Sequence, residues 1–296
     1  MKLIMLAFPV LAAVLLAGCN DPAPVELLPP PDTSGFEIVA IAAVDTSTDS
    51  PQVDSTAVLP ADRVRFAGYF GVTKIVLDNG DTLRTAAVSR VLLENRSRPI
   101  RLLGHLWGFH GVNVGTLTLN GTPMIRIPHR IRIRRQLLDT VVTAGVEYLQ
   151  DIGATHGPGL PYTWLASAPD SLAPFEFTTT TPENITVQSP AGGSIVSRFR
   201  DLPLRWAGQG NLSIVISGYL PGTRRTIPLL RLRPRVNTGS LIIPRKIMSL
   251  LPADRFRYFA FSFILENRSE SNTIGGYDGP ILIQAASVYT SFVEVR

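Results

Sequence analysis

Cysteine is nearly absent from this chain of 296 residues: Cys19 stands alone. No internal disulfide can form, so the body has to be held by strand pairing and burial. Lysine is almost as scarce, since only Lys2, Lys74 and Lys246 interrupt a basic set of 28 residues that is otherwise arginine. No stretch carries an apolar repeat of 3.6 residues, which excludes long amphipathic helices. One or two helical turns around Arg245 to Leu251 are the most that is expected. Signatures of chemistry are missing too. There is no G-x-S-x-G elbow, and Gly192-Gly193-Ser194 has the wrong spacing for one. No H-E-x-x-H spacing and no cofactor motif occur. What the chain does have is apolar content, 45% of its residues, ample for a real core.

The first nineteen residues explain the lone cysteine. MKLIMLAFPVLAAVLLAGC has a positive start at Lys2, an apolar run from Leu3 to Leu16, and small residues before Cys19. That is the build of a secretory signal, and the run is too short to span a bilayer as a helix. Leu16-Ala17-Gly18-Cys19 resembles the bacterial lipobox. The resemblance implies cleavage before Cys19, a diacylglycerol on its thiol and an acylated new amine. Each buried methylene adds about 0.8 kcal/mol, and two or more chains anchor a protein stably. Asn20 follows the cysteine where Asp would favour the inner membrane, so an outer-membrane location in the cell envelope is expected. The net charge of +5 suits anionic neighbours in that compartment. Nucleic acid is not an expected partner there.

Residues 20 to 35 (NDPAPVELLPPPDTSG) are proline-rich and aperiodic, as in a stiff tether. Strand-sized runs broken by turn residues follow. Phe36 to Val44 is almost wholly apolar and reads as a central strand. Val64, Phe66 and Phe70 alternate onto one face. Asp78-Asn79-Gly80-Asp81 and Asn120-Gly121 read as hairpin turns, since Asn-Gly accepts positive φ. A boundary falls near Thr181-Pro182. Beyond it come Leu202 to Trp206, Leu212 to Ser217, Thr226 to Leu232, Phe256 to Leu265, Ile281 to Ala286 and Ser291 to Val295. About seven short strands in roughly 110 residues is the pattern of an immunoglobulin-like sandwich. Two pentamers also recur in order: Leu59 to Arg63 as Leu251 to Arg255, and Leu93 to Ser97 as Leu265 to Ser269.

Ser189-Pro190, Gly192-Gly193 and then Leu202-Pro203-Leu204-Arg205-Trp206 resemble the first strands of bacterial immunoglobulin-like or fibronectin-III-like surface domains. The resemblance implies that Trp206 packs between two sheets. Gly115 to Gly121, Tyr162-Thr163-Trp164 and Pro174 to Phe177 are similar to segments of uncharacterised surface lipoproteins. The fold class read from all this is all-β, two tandem antiparallel β-sandwich domains. The divisions are a signal peptide at 1–18, a tether at 19–35, an N-terminal sandwich at 36–181 and a C-terminal immunoglobulin-like sandwich at 182–296.

The most unusual local feature is Ile125 to Arg135. In an extended strand Ile125, Ile127, Ile131 and Ile133 line one face, and Arg126, Arg130, Arg132 and Arg134 the other. Four guanidinium groups over roughly 27 Å, at ~3.3 Å per residue, form a candidate strip for phosphate or carboxylate. The plain alternative is a solvated edge strand, which Pro128 also fits. His105 and His110 fall on opposite faces, which does not suit a shared metal. Trp107 and Phe109 share a face, and core packing is favoured over a sugar platform. Asp45, Asp49 and Asp54 in one loop, and Asp78 and Asp81 in a turn, lack calcium-loop spacing and read as turn chemistry. The leading expectation is therefore a lipid-anchored, non-catalytic envelope lipoprotein for binding, adhesion or envelope assembly. Its partners would be the membrane through Cys19 and an anionic glycan or another envelope protein. An envelope glycan-active enzyme, or its carbohydrate-binding accessory, is the second reading. That one calls for paired carboxylates about 5 to 10 Å apart in a pocket, or Trp107, Tyr162 or Trp164 exposed in a row.

Overall fold

The computed structural model describes residues 35–40, 65–102, 105–135, 138–153, 156–167, 172–220 and 225–296. Cys19, the tether, Asp45, Asp49, Asp54 and the first copy of the Leu-Pro-Ala-Asp-Arg pentamer lie outside them. Gly35–Arg296 is one compact unit. Among the described residues it is mainly β, with a helical residue at Arg65 and a short helix, α1 (Arg245–Met248), which falls where the sequence placed its helical turns.

One large sheet runs through the unit. Its strands are β1 (Phe36–Ala40), β2 (Gly68–Asp78), β3 (Leu83–Leu102), β4 (His105–Gly111), β7 (Ile125–Arg135), β8 (Leu138–Asp151), β14 (Asn211–Leu220), β15 (Arg225–Pro234), β17 (Tyr258–Ile274) and β18 (Tyr277–Val295). They lie in the order β1-β15-β14-β17-β18-β2-β3-β4-β8-β7. β12 (Ile195–Val196) pairs in parallel with the end of β18. A four-stranded sheet holds β5 (Thr118–Leu119), β6 (Thr122–Pro123), β9 (Pro161–Ala166) and β10 (Phe175–Thr180). A three-stranded sheet holds β11 (Thr186–Ser189), β13 (Leu202–Ala207) and β16 (Ser240–Ile243).

The two small sheets cover the same face of the large one. On β18, Ile281 and Ile283 enter one core, and Val293 and Val295 the other. All four are odd-numbered, so strand alternation puts them on one side. The four-stranded sheet closes the first core with Leu119, Tyr162, Trp164 and Phe175. There Phe70 meets Trp164, Phe175 and Phe177 edge-on at 5.8, 5.7 and 5.0 Å between centroids, a favoured aromatic geometry. The three-stranded sheet closes the second core with Leu202, Leu204, Trp206 and Ile243. Trp206 is buried there, its ring 5.8 Å from Phe263.

Between the cores the same face of the sheet turns polar. Ser287 Oγ accepts the Ile185 amide at 3.1 Å, and Lys74 Nζ donates to Asn184 Oδ1 at 2.9 Å. Asp78 ties three segments together: it accepts the amides of Gly80 at 2.9 Å and Gly192 at 3.1 Å, and the Tyr289 hydroxyl at 2.9 Å. Burial would raise the Asp78 carboxyl. The bonds from Gly80, Tyr289 and Gly192 outweigh it and hold the group below its ordinary range. The same partnership pushes the Tyr289 phenol up to about 12, burial being the larger cause.

Local turn chemistry reads as expected. Asn79-Gly80 closes the β2–β3 hairpin, and Asn120 and Gly121 turn β5 into β6 with φ of 48° and 78°. Four expectations need correcting. β1 pairs only with β15 and so ends the sheet among the described residues, where a central strand was expected. Phe66 and Phe70 fall in different apolar clusters, because β2 begins only at Gly68 and the alternation does not extend back to Phe66. Ile281 to Ala286 and Ser291 to Val295 are one strand, not two, bridged by buried Ser287, Thr290 and Ser291. The cores do not divide at 181/182: Phe36 packs with the C-terminal strands, Ile274, Ile281 and Ile283 pack with the N-terminal ones, and β18 pairs with β2 over Ile281↔Gly68 to Ser291↔Asp78.

Asp78→Ala is expected to cost about 2 kcal/mol, the scale of hydrogen bonds to a charged group, read as a lower urea midpoint at pH 7. Because the folded-state pKa is depressed, that contribution is complete above about pH 4 and fades as the pH falls below it. The gap between wild type and variant should therefore narrow at acid pH.

Candidate functional site

The face of the large sheet turned away from the two cores carries a cleft of about 630 Å³, a size typical of small-ligand sites. Strand alternation builds its floor. On β3, Ala87, Val91 and Leu93 turn into the core while Arg90 and Leu92 turn outward, and β2 and β18 add Tyr69 and Leu282. Beyond Leu93, β3 leaves β2 and pairs with β4, which brings Trp107 and Phe109 to the cleft. β7 supplies another wall through His129 and Ile131. The approach of β4 to β8 requires glycine. A Cβ on Gly145, whose φ is +82°, would sit 2.1 Å from the Gly111 carbonyl oxygen.

A charged triad lies behind this wall. Arg90 donates to Glu147 Oε2 from Nη2 at 2.6 Å and from Nε at 3.1 Å. His129 Nδ1 is 3.4 Å from the same oxygen. Nε2 of the 7%-exposed imidazole has no hydrogen-bond partner. Burial would raise the Glu147 carboxyl. His129 and Arg90 overcome it and hold the group below the usual carboxylate range. A carboxylate held ionised in this way is an anchor for cations and a poor proton donor.

At the rim, Arg96 lies over the Phe109 ring at 5.8 Å. Arg130 is exposed, lines the cleft and makes no ion pair or hydrogen bond among the described residues.

The predicted arginine stripe is only partly traceable. Among the described residues β7 is an edge strand, in keeping with Pro128. Its register against β8 shifts between Pro128 and Arg130, which interrupts the regular alternation. Ile125 is 67% exposed, while His129 and Ile133 are buried. Arg126 is exposed and donates to Asn113 Oδ1 at 3.4 Å, outside the cleft. Arg132 and Arg134 pair through their backbones with Val141 and Asp139; their side chains, like that of His105, lie outside the described set. His110 is half-buried.

Trp107, expected in a core, is half-buried in the cleft wall, where an irregularity between Ile100 and Arg101 breaks the β3–β4 register. Tyr162 and Trp164 are instead core residues, so no row of exposed aromatics forms from the three. Among the described residues no three His, Cys, Asp or Glu side chains converge as metal ligands would. His129 and Glu147 were not nominated from sequence. A single histidine in an arginine-rich run gives no local signal, and only the β7–β8 pairing brings it beside Glu147.

No protein-family model matches the chain, and no characterised sequence matches it. Among solved structures it is similar to the yeast delta-COP-I mu-homology domain. The match is 8% identical, covers 78% of this chain and 98% of that one, and has a TM-score of 0.23. A superposition that loose carries no argument for this chain. Among the described residues no helix is long and apolar enough to cross a membrane.

Glu147→Gln and Arg90→Met are each expected to lower stability by about 3 kcal/mol, since each breaks a largely buried ion pair by removing one member. The double variant should lose clearly less than the sum, as read by a urea double-mutant cycle at pH 7.

Proposed function

We propose that this protein is a lipid-anchored lipoprotein of the bacterial envelope, with a non-catalytic binding role carried by the cleft beside β7. The observation that carries the binding role is the cleft's make-up. Trp107, Phe109 and Tyr69 offer apolar and aromatic surface, and the lining adds His129, whose Nε2 has no partner, and Arg130, which has none among the described residues. The triad behind it favours binding over catalysis, because Glu147 is tied up by Arg90 and is not poised to exchange a proton.

The anchor rests on the lipobox-like Leu16-Ala17-Gly18-Cys19, and with it the outer-membrane location. The C-terminal part is read as an immunoglobulin-like sandwich. The three-stranded sheet β11-β13-β16 over β15-β14-β17-β18, with β12 parallel to β18, supports that reading. The second reading, a carbohydrate-binding accessory protein, gains from Trp107 and Phe109 lining the cleft together.

Mass spectrometry of the protein from its membrane should find residues 1–18 removed and acyl chains on Cys19. Cys19→Ser should move the body into the soluble fraction. An intact first segment, or an unmodified thiol, overturns the anchor.

A further inference from the structure

We infer that the cleft binds an acidic saccharide, with a sugar hydroxyl on His129 and the charged substituent at Arg130. This rests on the binding reading above and names its ligand class.

His129 is the starting point. Its ring is more than nine-tenths buried and lines the cleft; Nδ1 faces Glu147 Oε2 at 3.4 Å, and Nε2 has no hydrogen-bond partner. Leaving Nε2 unmatched is costly, so a ligand that satisfies it gains accordingly. Glu147 can only accept, so the nitrogen beside it, Nδ1, carries the proton and Nε2 of the neutral ring is an acceptor. In the protonated ring Nε2 is a donor. A hydroxyl serves both states, because it donates and accepts. An acyl chain serves neither and would leave the nitrogen dry.

The walls agree with this choice. Trp107 and Phe109 present ring surface to the apolar face of a sugar, and Leu92, Ile131 and Leu282 continue it. The charged lining is mainly basic, with Arg90, Arg96 and Arg130 against Glu94, and so favours an acid. Arg130 is exposed at the rim with no partner among the described residues, and its planar fork fits a carboxylate or phosphate. Arg90, by contrast, is occupied by Glu147.

The test is calorimetric titration of the full protein in detergent, with tryptophan emission followed in parallel. Trp164 and Trp206 sit in the cores, so a ligand-dependent change in emission reports Trp107. The probes are a galacturonate tetramer, its methyl ester, glucose 1-phosphate and palmitate. At least one acidic sugar should bind and shift the emission, with the tetramer and the phosphate separating carboxylate from phosphate preference. The ester should bind at least tenfold more weakly than the acid. Trp107→Ala and His129→Gln should each weaken binding at least tenfold, and Arg126→Ala should leave it unchanged. If His129→Gln does not fold, Trp107→Ala carries the test.

Equal binding of acid and ester overturns the acidic class. Binding of palmitate but of neither acidic sugar overturns the saccharide and leaves the cleft as a binding site. An acidic sugar that binds Trp107→Ala as tightly as wild type removes the cleft from the account. Failure of the anchor would appear only in the mass spectrum of Cys19.

Discussion

The structure depends on one long hairpin. β17 and β18 run for 17 and 19 residues, far beyond the five or six of an ordinary strand, and each passes through both cores. Phe259, Phe261, Phe263 and Leu265 fill one core while Ile274 reaches the other, and β18 mirrors this with Val293 and Val295 against Ile281 and Ile283. Parallel pairing of β18 with β2 then fastens the N-terminal half of the chain along the same strand. Neither half can complete its large sheet without the hairpin, so what looks like two sandwiches in series is built on one shared spine.

The polar seam between the cores follows from that arrangement. A strand shared by two cores must cross the gap where the covering sheet changes from four strands to three. The crossing is buried, with Ser287 at 2% and Ser291 at 0% exposure. Ser287 and Tyr289 occupy the crossing and are satisfied by Ile185 and Asp78. The cleft on the opposite face inherits its floor from the same spine, with Leu282 of β18 beside Tyr69 of β2. Its walls come from where β3 departs from β2 and from the edge strand β7.

Local chemistry was legible in the sequence and long-range pairing was not. Asn79-Gly80 and Asn120-Gly121 announce their turns because positive φ is a property of the residues themselves. The helical turn at Arg245 and most C-terminal strands follow from short-range pattern, and Trp206 lies in a core as its resemblance implied. The all-β class is written in the absence of a 3.6-residue repeat. What failed needed knowledge of partners. Phe36 begins an edge strand because, among the described residues, β15 alone pairs with it. Ile125 is exposed because it lies at the very start of an edge strand. The site suffered most: the arginines drew attention by their number, whereas His129 acquires its character only from Glu147 and Arg90, residues 18 and 39 positions away.

The central claim is that the shared hairpin makes Gly35–Arg296 fold as one unit, with the cleft as part of it. Trp164 and Trp206 sit one in each core and serve as natural reporters. The direct measurement is urea unfolding of two variants, one keeping only Trp164 and one only Trp206, the other tryptophans replaced by Phe, each monitored by far-UV circular dichroism as well as emission. One spine predicts that in each variant the local emission transition coincides with the global loss of strand signal. A core that loses its emission signal while much of the strand signal persists would contradict it.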